Sequence, residues 1–534
     1  MSPEELSLPL HAKCVQPLDL AAFLLRSRPF VVTRIRTLLQ GLVTAGSPFE
    51  PVGSKWRIPP SDLLALRQAD VLEPFSGPLS SPTLYFSVVE LAKGRRRPIM
   101  WPRVFHENFS RYVSDFSLPH TPIYADCVHE GSLAAAFDLA SSFWQILLPS
   151  DINFVLTDHA GRPWRMTRLP FGVDCASEIV HLIVSELAFL SAPTLCIAAR
   201  RVHIDNVLFV AGSDIDSYCS AFKSICSELN VTLNDEPSNV PAAVIPFAGM
   251  CLDFSLKRVR LNDKFINSIP DPAKLRTYMD LERFVGKLLY GSAVLRLRLH
   301  PFHWFIKVYR RRLSMLSHHR LSWLDPVNLP PLATQAIHQI HAQVSRNAWT
   351  TIPSPASPFS SSLCDDGIIL VTDATLNSFG AVLYEAGVVV SAYGGSFPHS
   401  APSMAVAESA AILAAVSRFS SRLRSRSFVL LVDNTSAQHA IASNKGKHHA
   451  LDLAADRVHS LLSFLGARVL VSRISSRDNV ADAPSRGLPL KDACIQASKA
   501  AADAAVRLVL ATGAGADYAT LRGGDGGRPS TQVP

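Results

Sequence analysis

The stretch that most constrains the fold is residues 199–212, ARRVHIDNVLFVAG, in which apolar residues lie on both sides of a polar centre. That centre is His203-Ile204-Asp205-Asn206. Apolar runs that flank an Asp-Asn pair are typical of two short strands joined by a tight turn, because Asx residues favour such turns. The pattern therefore predicts a hairpin that lifts the carboxylate of Asp205 out of a buried sheet.

Length and composition predict a multidomain intracellular protein. A chain of 534 residues exceeds the usual size of one domain, and 48% hydrophobic residues suffice for real cores. The net charge of +8 suits a polyanionic partner such as nucleic acid. The nine cysteines form no C-x-x-C pair, which indicates reduced thiols rather than zinc knuckles. We see no signal peptide and no run of about 18 apolar residues, so we expect no membrane span. Whether the compartment is cytoplasm or nucleus stays open.

Two further strings lie upstream of the hairpin. Residues 132–146, SLAAAFDLASSFWQI, read as a buried strand that ends at Asp138, with Phe143 five residues on. Residues 168–177, RLPFGVDCAS, contain the turn Leu169-Pro170-Phe171-Gly172, and an apolar-periodic helix follows. Proline and glycine fix such a turn, so that backbone and a ring can approach a ligand closely.

In order and spacing, these three strings resemble the reverse transcriptase motifs D-L-x-x-x-aromatic-x-Q-I, L-P-F-G-L-x-x-A-P and aromatic-x-Asp-Asp. The resemblance implies a right-hand polymerase with fingers, palm and thumb. It implies metal ligands and catalytic residues, a steric gate against a 2′-hydroxyl at Phe143, and residues that contact the template–nucleotide pair. The implied metal ligands are Asp138, Asp205 and the carbonyl of Leu139; Asn206 stands in place of the second acid, and Phe171 and Gly172 contact the nucleotide.

Residues 83–91, TLYFSVVEL, read as a strand, and a basic stretch, KGRRRPI, follows at 93–99. By itself such a stretch is equally typical of a solvated charge run or a nuclear-import signal. It resembles the fingers hairpin K-x-x-x-R-x-I/V of reverse transcriptases, which assigns Lys93 and Arg97 to the triphosphate of the incoming nucleotide.

Weaker matches continue the resemblance towards the thumb. Residues 229–238 match a motif whose lysine is replaced by Pro237, residues 247–250 match a primer-grip turn, and residues 281–293 match the first thumb helix. A basic cluster lies in that helical region, and it is either a solvated helix face or a surface that tracks duplex phosphates. Its members are Arg296, Arg298, Arg310, Arg311 and Arg312.

A second catalytic unit is predicted after a Pro/Ser-rich linker. Its predicted element order is βββαβαβ, with acids where strands or helices place them. This order, and the string N-x-A-D-x-x-S-R at 479–486, resemble the ribonuclease H fold of retroelements. The resemblance implies four metal-binding, catalytic carboxylates, namely Asp373, Glu408, Asp433 and Asp482.

The predicted fold class is α/β and α+β multidomain, a right-hand polymerase followed by a ribonuclease H-like α/β domain. The predicted parts are an unassigned N-terminal extension (1–70), fingers and palm (71–255), thumb and connection (256–349), linker (350–364), ribonuclease H-like domain (365–488) and an Ala/Gly-rich tail with a possible helix and a disordered end (489–534). Such a protein copies retroelement RNA into DNA and degrades the RNA of the hybrid.

The implied cofactor is Mg²⁺, two ions per active site, with Mn²⁺ as an alternative. The implied partners are an RNA template, a DNA primer, an RNA–DNA hybrid and deoxynucleoside triphosphates. The strings RRRPIMWP, VDNTSAQHAI and SSRDNVADAPSRG most resemble the tyrosine-recombinase retrotransposons of the DIRS-like and VIPER group, with pararetroviral polymerases as the alternative. A decayed or domesticated copy that binds nucleic acid without polymerase activity is the alternative function, because Asn206, Pro237 and Ser177 depart from the motifs.

Overall fold

The computed structural model divides into two compact units, residues 1–262 and 263–534. The structure describes residues 8–44, 53–77, 83–90, 93–102, 131–195, 199–352, 367–443 and 446–512, together with 116, 118, 124, 125 and 127–129. Most of the expected Pro/Ser linker (353–364) and the end of the expected tail (513–534) lie outside these residues. Among the helices within these ranges, none combines the length and the apolar character needed to cross a membrane.

The first unit contains helices and mostly short antiparallel strands. Its helices are α1 (Leu20–Arg26), α2 (Pro29–Thr44), α3 (Pro60–Gln68), α4 (Ala176–Ser191) and α5 (Ile215–Glu228). Its strands are β1 (Leu72–Pro74), β2 (Leu84–Glu90), β3 (Arg95–Trp101), β4 (Leu133–Asp138), β5 (Val155–Thr157), β6 (Pro163–Met166), β7 (Arg200–His203), β8 (Asn206–Ala211), β9 (Val244–Phe247), β10 (Met250–Asp253) and β11 (Arg258–Leu261).

The sheet at the centre of the first unit has the strand order β4-β8-β7, and both pairs are antiparallel. Small and branched apolar residues run through β4 and β8, and most of them are fully buried, which is typical of a strand covered by other layers. Phe137 and Phe209 of the sheet meet Phe222 of α5, with ring centroids 5.1 and 5.4 Å from Phe222. The core therefore lies between this sheet and its helices, and the end of β4 that carries Asp138 lies beside the β7–β8 loop that carries Asp205.

The N-terminal extension, which the sequence left unassigned, is part of this unit's core. The backbone amide of Leu18 donates to the carbonyl of Gln145 (2.7 Å), next to the Asp138 motif. Arg28 pairs with the fully buried Glu186 at 2.7 Å. Buried apolar residues of α1 and α2 belong to the same core cluster as those of β4 and β8. The extension is therefore packed against the sheet that carries the candidate site.

The second unit begins with helices. They are α6 (Asp263–Asn267), α7 (Tyr278–Val294), α8 (His303–Ser317) and α9 (Pro331–Arg346), followed by the short strand β12 (Thr350–Thr351). The expected thumb helix at 281–293 lies within α7, which begins at a capping box formed by Thr277 and Asp280.

The rest of the second unit is a mixed five-stranded sheet covered on both faces. Its elements are β13 (Ile368–Ala374), β14 (Ser378–Glu385), β15 (Val388–Ser396), α10 (Met404–Arg418), α11 (Ser420–Leu423), β16 (Ser427–Val432), α12 (Thr435–Ser443), α13 (His449–Leu465), β17 (Arg468–Arg473), α14 (Asp482–Ser485) and α15 (Asp492–Thr512). The strand order is β15-β14-β13-β16-β17, with β13, β16 and β17 parallel and the first two pairs antiparallel. The predicted βββαβαβ order and the predicted fold class are confirmed.

Helices cover the two faces of this sheet differently. Apolar residues of α10, α12 and α13 pack on one face. On the other face, Ala502, Ala505 and Val506 of α15 pack against residues of β13 and β16. The Ala-rich stretch after residue 489 therefore contains a helix that completes the core, and its small residues allow close approach to the sheet.

Candidate active sites

Asp205 lies in the loop of the β7–β8 hairpin. His203 pairs with Asn206, so the two loop residues are Ile204 and Asp205. The predicted Asp-Asn turn is therefore wrong by one position, because Asn206 is held in β8 by its pairing with Asp138 of β4. Ile204 takes a left-handed backbone with φ of 56°, which is costly for a β-branched residue. A positive φ at the first loop residue is typical of a type II′ hairpin turn.

Asp138 lies at the end of β4, where it pairs with Asn206 on the neighbouring strand β8. Burial raises the pKa of Asp138 to about 6, and the nearby charge of Asp205 acts in the same direction. A hydrogen bond of 2.7 Å from the side-chain amide of Asn234 opposes this rise. Lys93, between β2 and β3, also lowers the pKa of Asp138, so the β2–β3 hairpin places a cation within electrostatic range of this carboxylate.

Both carboxylate oxygens of Asp205 accept hydrogen bonds from neutral side chains. The hydroxyl of Ser142 donates to Oδ2 at 2.9 Å, and the side-chain amide of Asn206 donates to Oδ1 at 2.9 Å. The backbone amide of Leu139 donates to the carbonyl of Asp205 at 3.2 Å. Asn206 thus orients the one acid of this hairpin instead of adding a second.

The three consecutive arginines of β3 point in alternating directions, as side chains of a strand do. Arg96 is buried and forms a bidentate ion pair with Asp62, 2.7 Å at its shortest. Arg97 lies on the other face, where it pairs with Glu90 at 2.9 Å and stands over the ring of Phe171 at 5.2 Å. Of these arginines, Arg97 is the one stacked on the L-P-F-G turn.

The rings of Phe143 and Phe171 lie in contact, with centroids 4.3 Å apart. Phe143 is buried in the short 3₁₀ helix Ser142–Gln145 that follows Asp138. Gly172 has φ of 111°, and a Cβ there would lie 2.6 Å from the carbonyl oxygen of Met100 in β3. The amide of Met100 in turn donates to the carbonyl of Phe171 at 2.9 Å. The turn therefore needs glycine because its backbone lies against β3.

Three of the four acids predicted for the second unit come together. Asp373 lies in β13, Glu408 in α10 and Asp433 just after β16, and one carboxylate oxygen from each lies within 4.8 Å of the others. Parallel pairing of β13 and β16 brings the first and third acids to the same sheet edge. The helix that carries Glu408, α10, packs on one face of this sheet.

Burial and repulsion from neighbouring carboxylates raise the pKa of two of these acids, Glu408 and Asp373. Burial first, and then the charges of Asp433 and Asp373, raise the pKa of Glu408 to about 9. Burial raises the pKa of Asp373 to about 6. The Oε1 atom of Glu408 accepts a 3.3 Å bond from the amide of Ala374, whereas its buried Oε2 receives no hydrogen bond from any residue that the structure describes. A buried oxygen without a donor, beside two more carboxylates, fits a cation ligand.

Asp482 lies outside this group of three. Its carboxylate is partly exposed and accepts a 2.7 Å hydrogen bond from Arg486, one turn along. Its charge still raises the pKa of Asp373, so it lies near that acid. The turn that carries Asp482 packs closely against Gly380 of β14. A side chain at position 380 would collide with the carbonyl of Ala481 and the amide of Ser485.

Several polar residues that hold the candidate acids were not singled out from the sequence. Ser485 and Asn479 donate to Asp373 at 2.7 and 3.3 Å. Asn234 donates to Asp138, and Ser142 donates to Asp205. Asn234, Asn479 and Ser485 occupy polar positions of motifs that were matched, so the motif itself was a usable signal. Ser142 had no such signal.

In outline, the first unit carries two acids on a three-stranded antiparallel sheet, and the second unit carries a group of three acids on a mixed five-stranded sheet. No protein-family model matches the chain. The enzymatic polyprotein of cauliflower mosaic virus (strain Strasbourg) is 22% identical over 229 residues, 42% of this chain and 32% of the relative. That of figwort mosaic virus (strain DxS) is 21% identical over 219 residues, 40% of this chain and 31% of the relative. The chain thus spans about a third of the length of these relatives.

Among solved structures, the chain is similar to the foamy viral protease-reverse transcriptase. In its complex with double-stranded DNA the TM-score is 0.45 at 15% identity, covering 87% of this chain and 99% of that one. In its complex with an RNA/DNA hybrid the TM-score is 0.44 at 13% identity, covering 87% of this chain and 64% of that one.

Proposed function

We propose that this chain is an RNA-directed DNA polymerase with ribonuclease H activity, which copies retroelement RNA into DNA and degrades the RNA of the hybrid. The observation that carries the proposal is the presence of two separate carboxylate sites at sheet edges. Asp138 and Asp205 form one. Asp373, Glu408 and Asp433, within 4.8 Å of one another, form the other.

In the polymerase site, Asp138, Asp205 and the carbonyl of Leu139 would hold Mg²⁺, with Mn²⁺ as an alternative. Hard oxygen ligands suit these ions, and one or two carboxylates suffice beside substrate phosphates. The chemistry that such ions supply when bound is activation of the primer hydroxyl and neutralisation of the leaving pyrophosphate. Asn206 contributes by orienting Asp205.

The residues around these acids would bind the nucleotide. Lys93, which acts electrostatically on Asp138, and Arg97, which stands on Phe171, supply positive charge for the triphosphate. The ring of Phe143 packs against that of Phe171 and would exclude a 2′-hydroxyl. Gly172 lets this turn lie against the fingers hairpin.

In the ribonuclease H site, Asp373, Glu408 and Asp433 would hold the cation, with Asp482 as a more exposed fourth acid. Ser485 and Asn479 fix the orientation of Asp373. A bound cation favours ionised carboxylates, so it would offset the repulsion that raises the pKa of Glu408. The nucleophile is water, and the substrate is the RNA strand of an RNA–DNA hybrid.

The partners we propose are the RNA template, the DNA primer, their hybrid and deoxynucleoside triphosphates. The net charge of +8 favours polyanions, and the similar foamy viral structures contain double-stranded DNA or an RNA/DNA hybrid. For the lineage, we propose the tyrosine-recombinase group of retrotransposons on the strength of three strings, RRRPIMWP, VDNTSAQHAI and SSRDNVADAPSRG. The similarity to viral polyproteins does not address that group.

The decisive experiment measures both activities in one preparation. Purified full-length chain is given a DNA primer on an RNA template with Mg²⁺ and deoxynucleoside triphosphates, and separately a labelled RNA–DNA hybrid. We expect primer extension and RNA cleavage, each abolished by EDTA. Binding of the primer–template without extension or cleavage would overturn the proposal in favour of a decayed or domesticated copy.

A further inference from the structure

Two tight turns face each other at the polymerase site and are joined by one hydroxyl. The turn after β4 contains Ser141 with φ of 46°, and the β7–β8 loop contains Ile204 with φ of 56°. Between them, Ser142 donates to Oδ2 of Asp205 at 2.9 Å. Positive φ is unfavourable at both non-glycine residues, so the surrounding contacts must hold both turns.

The Ser142 hydroxyl is placed where solvent cannot replace it. Ser142 is 4% exposed. The amide of Leu139, three residues earlier, donates to the carbonyl of Asp205 at 3.2 Å. The β4 turn therefore holds Asp205 at its backbone and at its carboxylate. With its other oxygen bound by Asn206, the carboxylate has one donor on each oxygen, and each oxygen retains acceptor capacity for a cation.

We propose that Ser142 is a positioning residue for Asp205, which sets the carboxylate in the orientation that the polymerase reaction needs. This inference rests on the proposed polymerase function and deepens it. A hairpin with a single acid cannot share cation binding between two neighbouring carboxylates, so the orientation of Asp205 matters more. Ser142 supplies that orientation without touching the substrate. Its hydrogen bond is to a charged group in a partly buried site, where such bonds are strongest.

The test compares three substitutions at Ser142 with a matched serine elsewhere. Ser142→Ala removes the donor, Ser142→Cys keeps the size but donates weakly, and Ser142→Thr keeps the hydroxyl. The control is Ser213→Ala, which removes an exposed Ser–Asp bond of 3.3 Å to Asp214. Each protein is assayed for single-turnover primer extension across a Mg²⁺ titration, for thermal unfolding, and for cleavage of an RNA–DNA hybrid.

We expect Ser142→Ala to raise the Mg²⁺ concentration for half-maximal extension by about 10-fold. The Mg²⁺ concentration that Ser142→Cys needs should lie between those of Ser142→Ala and the unchanged protein. Ser142→Thr should keep the Mg²⁺ response of the unchanged protein. Hybrid cleavage and the Ser213→Ala control should not change. If Ser142→Ala destabilises the fold, the Cys and Thr variants still separate loss of the donor from loss of packing.

An unchanged Mg²⁺ response in both Ser142→Ala and Ser142→Cys overturns the inference, provided that Asp205→Asn abolishes extension in the same assay. Equal shifts in Ser142→Cys and Ser142→Thr also overturn it, because packing alone would then explain them. If Asp205→Asn extends primers normally, the proposed function itself fails, and this outcome is distinguishable from the other two.

Discussion

Ser485 donates a hydrogen bond of 2.7 Å to Oδ2 of Asp373, a residue 112 positions earlier in the chain. The serine ends the short helix α14, which also carries Asp482. One turn therefore both holds the first of the four acids proposed for the ribonuclease H site and carries the last one. The site is assembled by docking this turn on the sheet and not by the sheet alone.

The two carboxylate sites predict separable activities. Asp138→Asn should abolish DNA synthesis and leave hybrid cleavage intact, whereas Asp433→Asn should do the reverse. Each change removes one charge needed for cation binding at its own site and leaves the other site unchanged. Primer extension and hybrid cleavage are measured on each folded variant. Loss of both activities from either single change would falsify the two-site interpretation.

A substitution at Glu408 should make the metal-free protein less sensitive to pH. The pKa of this acid is raised from 4.5 to about 9, so the folded state retains a proton that the unfolded chain has released. The stability that this proton contributes is fully present below pH 4.5 and is lost as the pH rises towards 9. In EDTA, the unfolding temperature of the second unit should fall across this window, and Glu408→Gln should flatten the fall.

Calorimetry in EDTA from pH 5 to about 9 checks this prediction, since a raised pKa acts only through that interval. Adding Mg²⁺ near the upper end of this pH interval should raise the unfolding temperature of the unchanged protein, because the ion binds the ionised acid. The unfolding temperature of Glu408→Gln should not change. Glu282→Gln, on the exposed face of α7, is the matched control. Parallel pH profiles for Glu408→Gln and the unchanged protein would contradict the assignment.

Arg96 and Arg97 are neighbours with different expected roles. Arg97→Ala should raise the KM for deoxynucleoside triphosphates roughly 10-fold or more, because it removes a charge-assisted contact, with little effect on unfolding. Arg96→Ala should instead destabilise the first unit by about 3–5 kcal/mol, since it leaves Asp62 buried without its partner. Arg95→Ala is the control, because Arg95 also pairs with Glu90. If the KM effect follows Arg95 instead, Arg97 is not the triphosphate contact.

Phe143→Val should admit ribonucleotides. The Phe143 ring supports Phe171 from 4.3 Å, so shortening it opens space beneath the sugar and also costs about 1–3 kcal/mol of packing. Phe143→Tyr keeps the ring and should keep discrimination. Competition between deoxy- and ribonucleotides in primer extension measures the ratio. The same ratio in Phe143→Val and in the unchanged protein rules out the steric-gate role.

The sequence predicted strands and helices well where apolar periodicity and motif spacing coincide. It misplaced the hairpin turn because local propensity favours Asp-Asn at a turn, whereas the register with β4 pairs Asn206 with Asp138 and keeps it in the strand. Cross-strand pairing is a tertiary constraint that a local pattern does not contain. The prediction still placed Asp205 in the hairpin loop, because both the predicted turn (Asp205-Asn206) and the observed turn (Ile204-Asp205) contain it.

The residues that orient the acids were harder to predict, because their partners are distant in the chain. Ser142 lies 63 positions from Asp205, and Asn234 lies 96 positions from Asp138. A motif gives the type of a residue but not the atom that it contacts. Likewise, the Ala-rich composition of α15 suggested a helix, but only the fold shows that it covers one face of the sheet.

Asn206→Asp tests what the neutral residue at this position does, and two opposing effects decide its outcome. The added carboxylate brings one more negative charge near the cation, worth about 4 kcal/mol at ~4 Å and an effective dielectric of ~20 before desolvation. The same change removes the 2.9 Å bond from Asn206 to Asp205, a charge-assisted contact worth about 1.5–3 kcal/mol. The charge effect is the larger, so the variant should need less Mg²⁺ for half-maximal synthesis. A Mg²⁺ titration of primer extension measures this, with Asp205→Asn as the inactive reference. A higher Mg²⁺ requirement in Asn206→Asp would show that the hydrogen bond to Asp205 outweighs the missing charge.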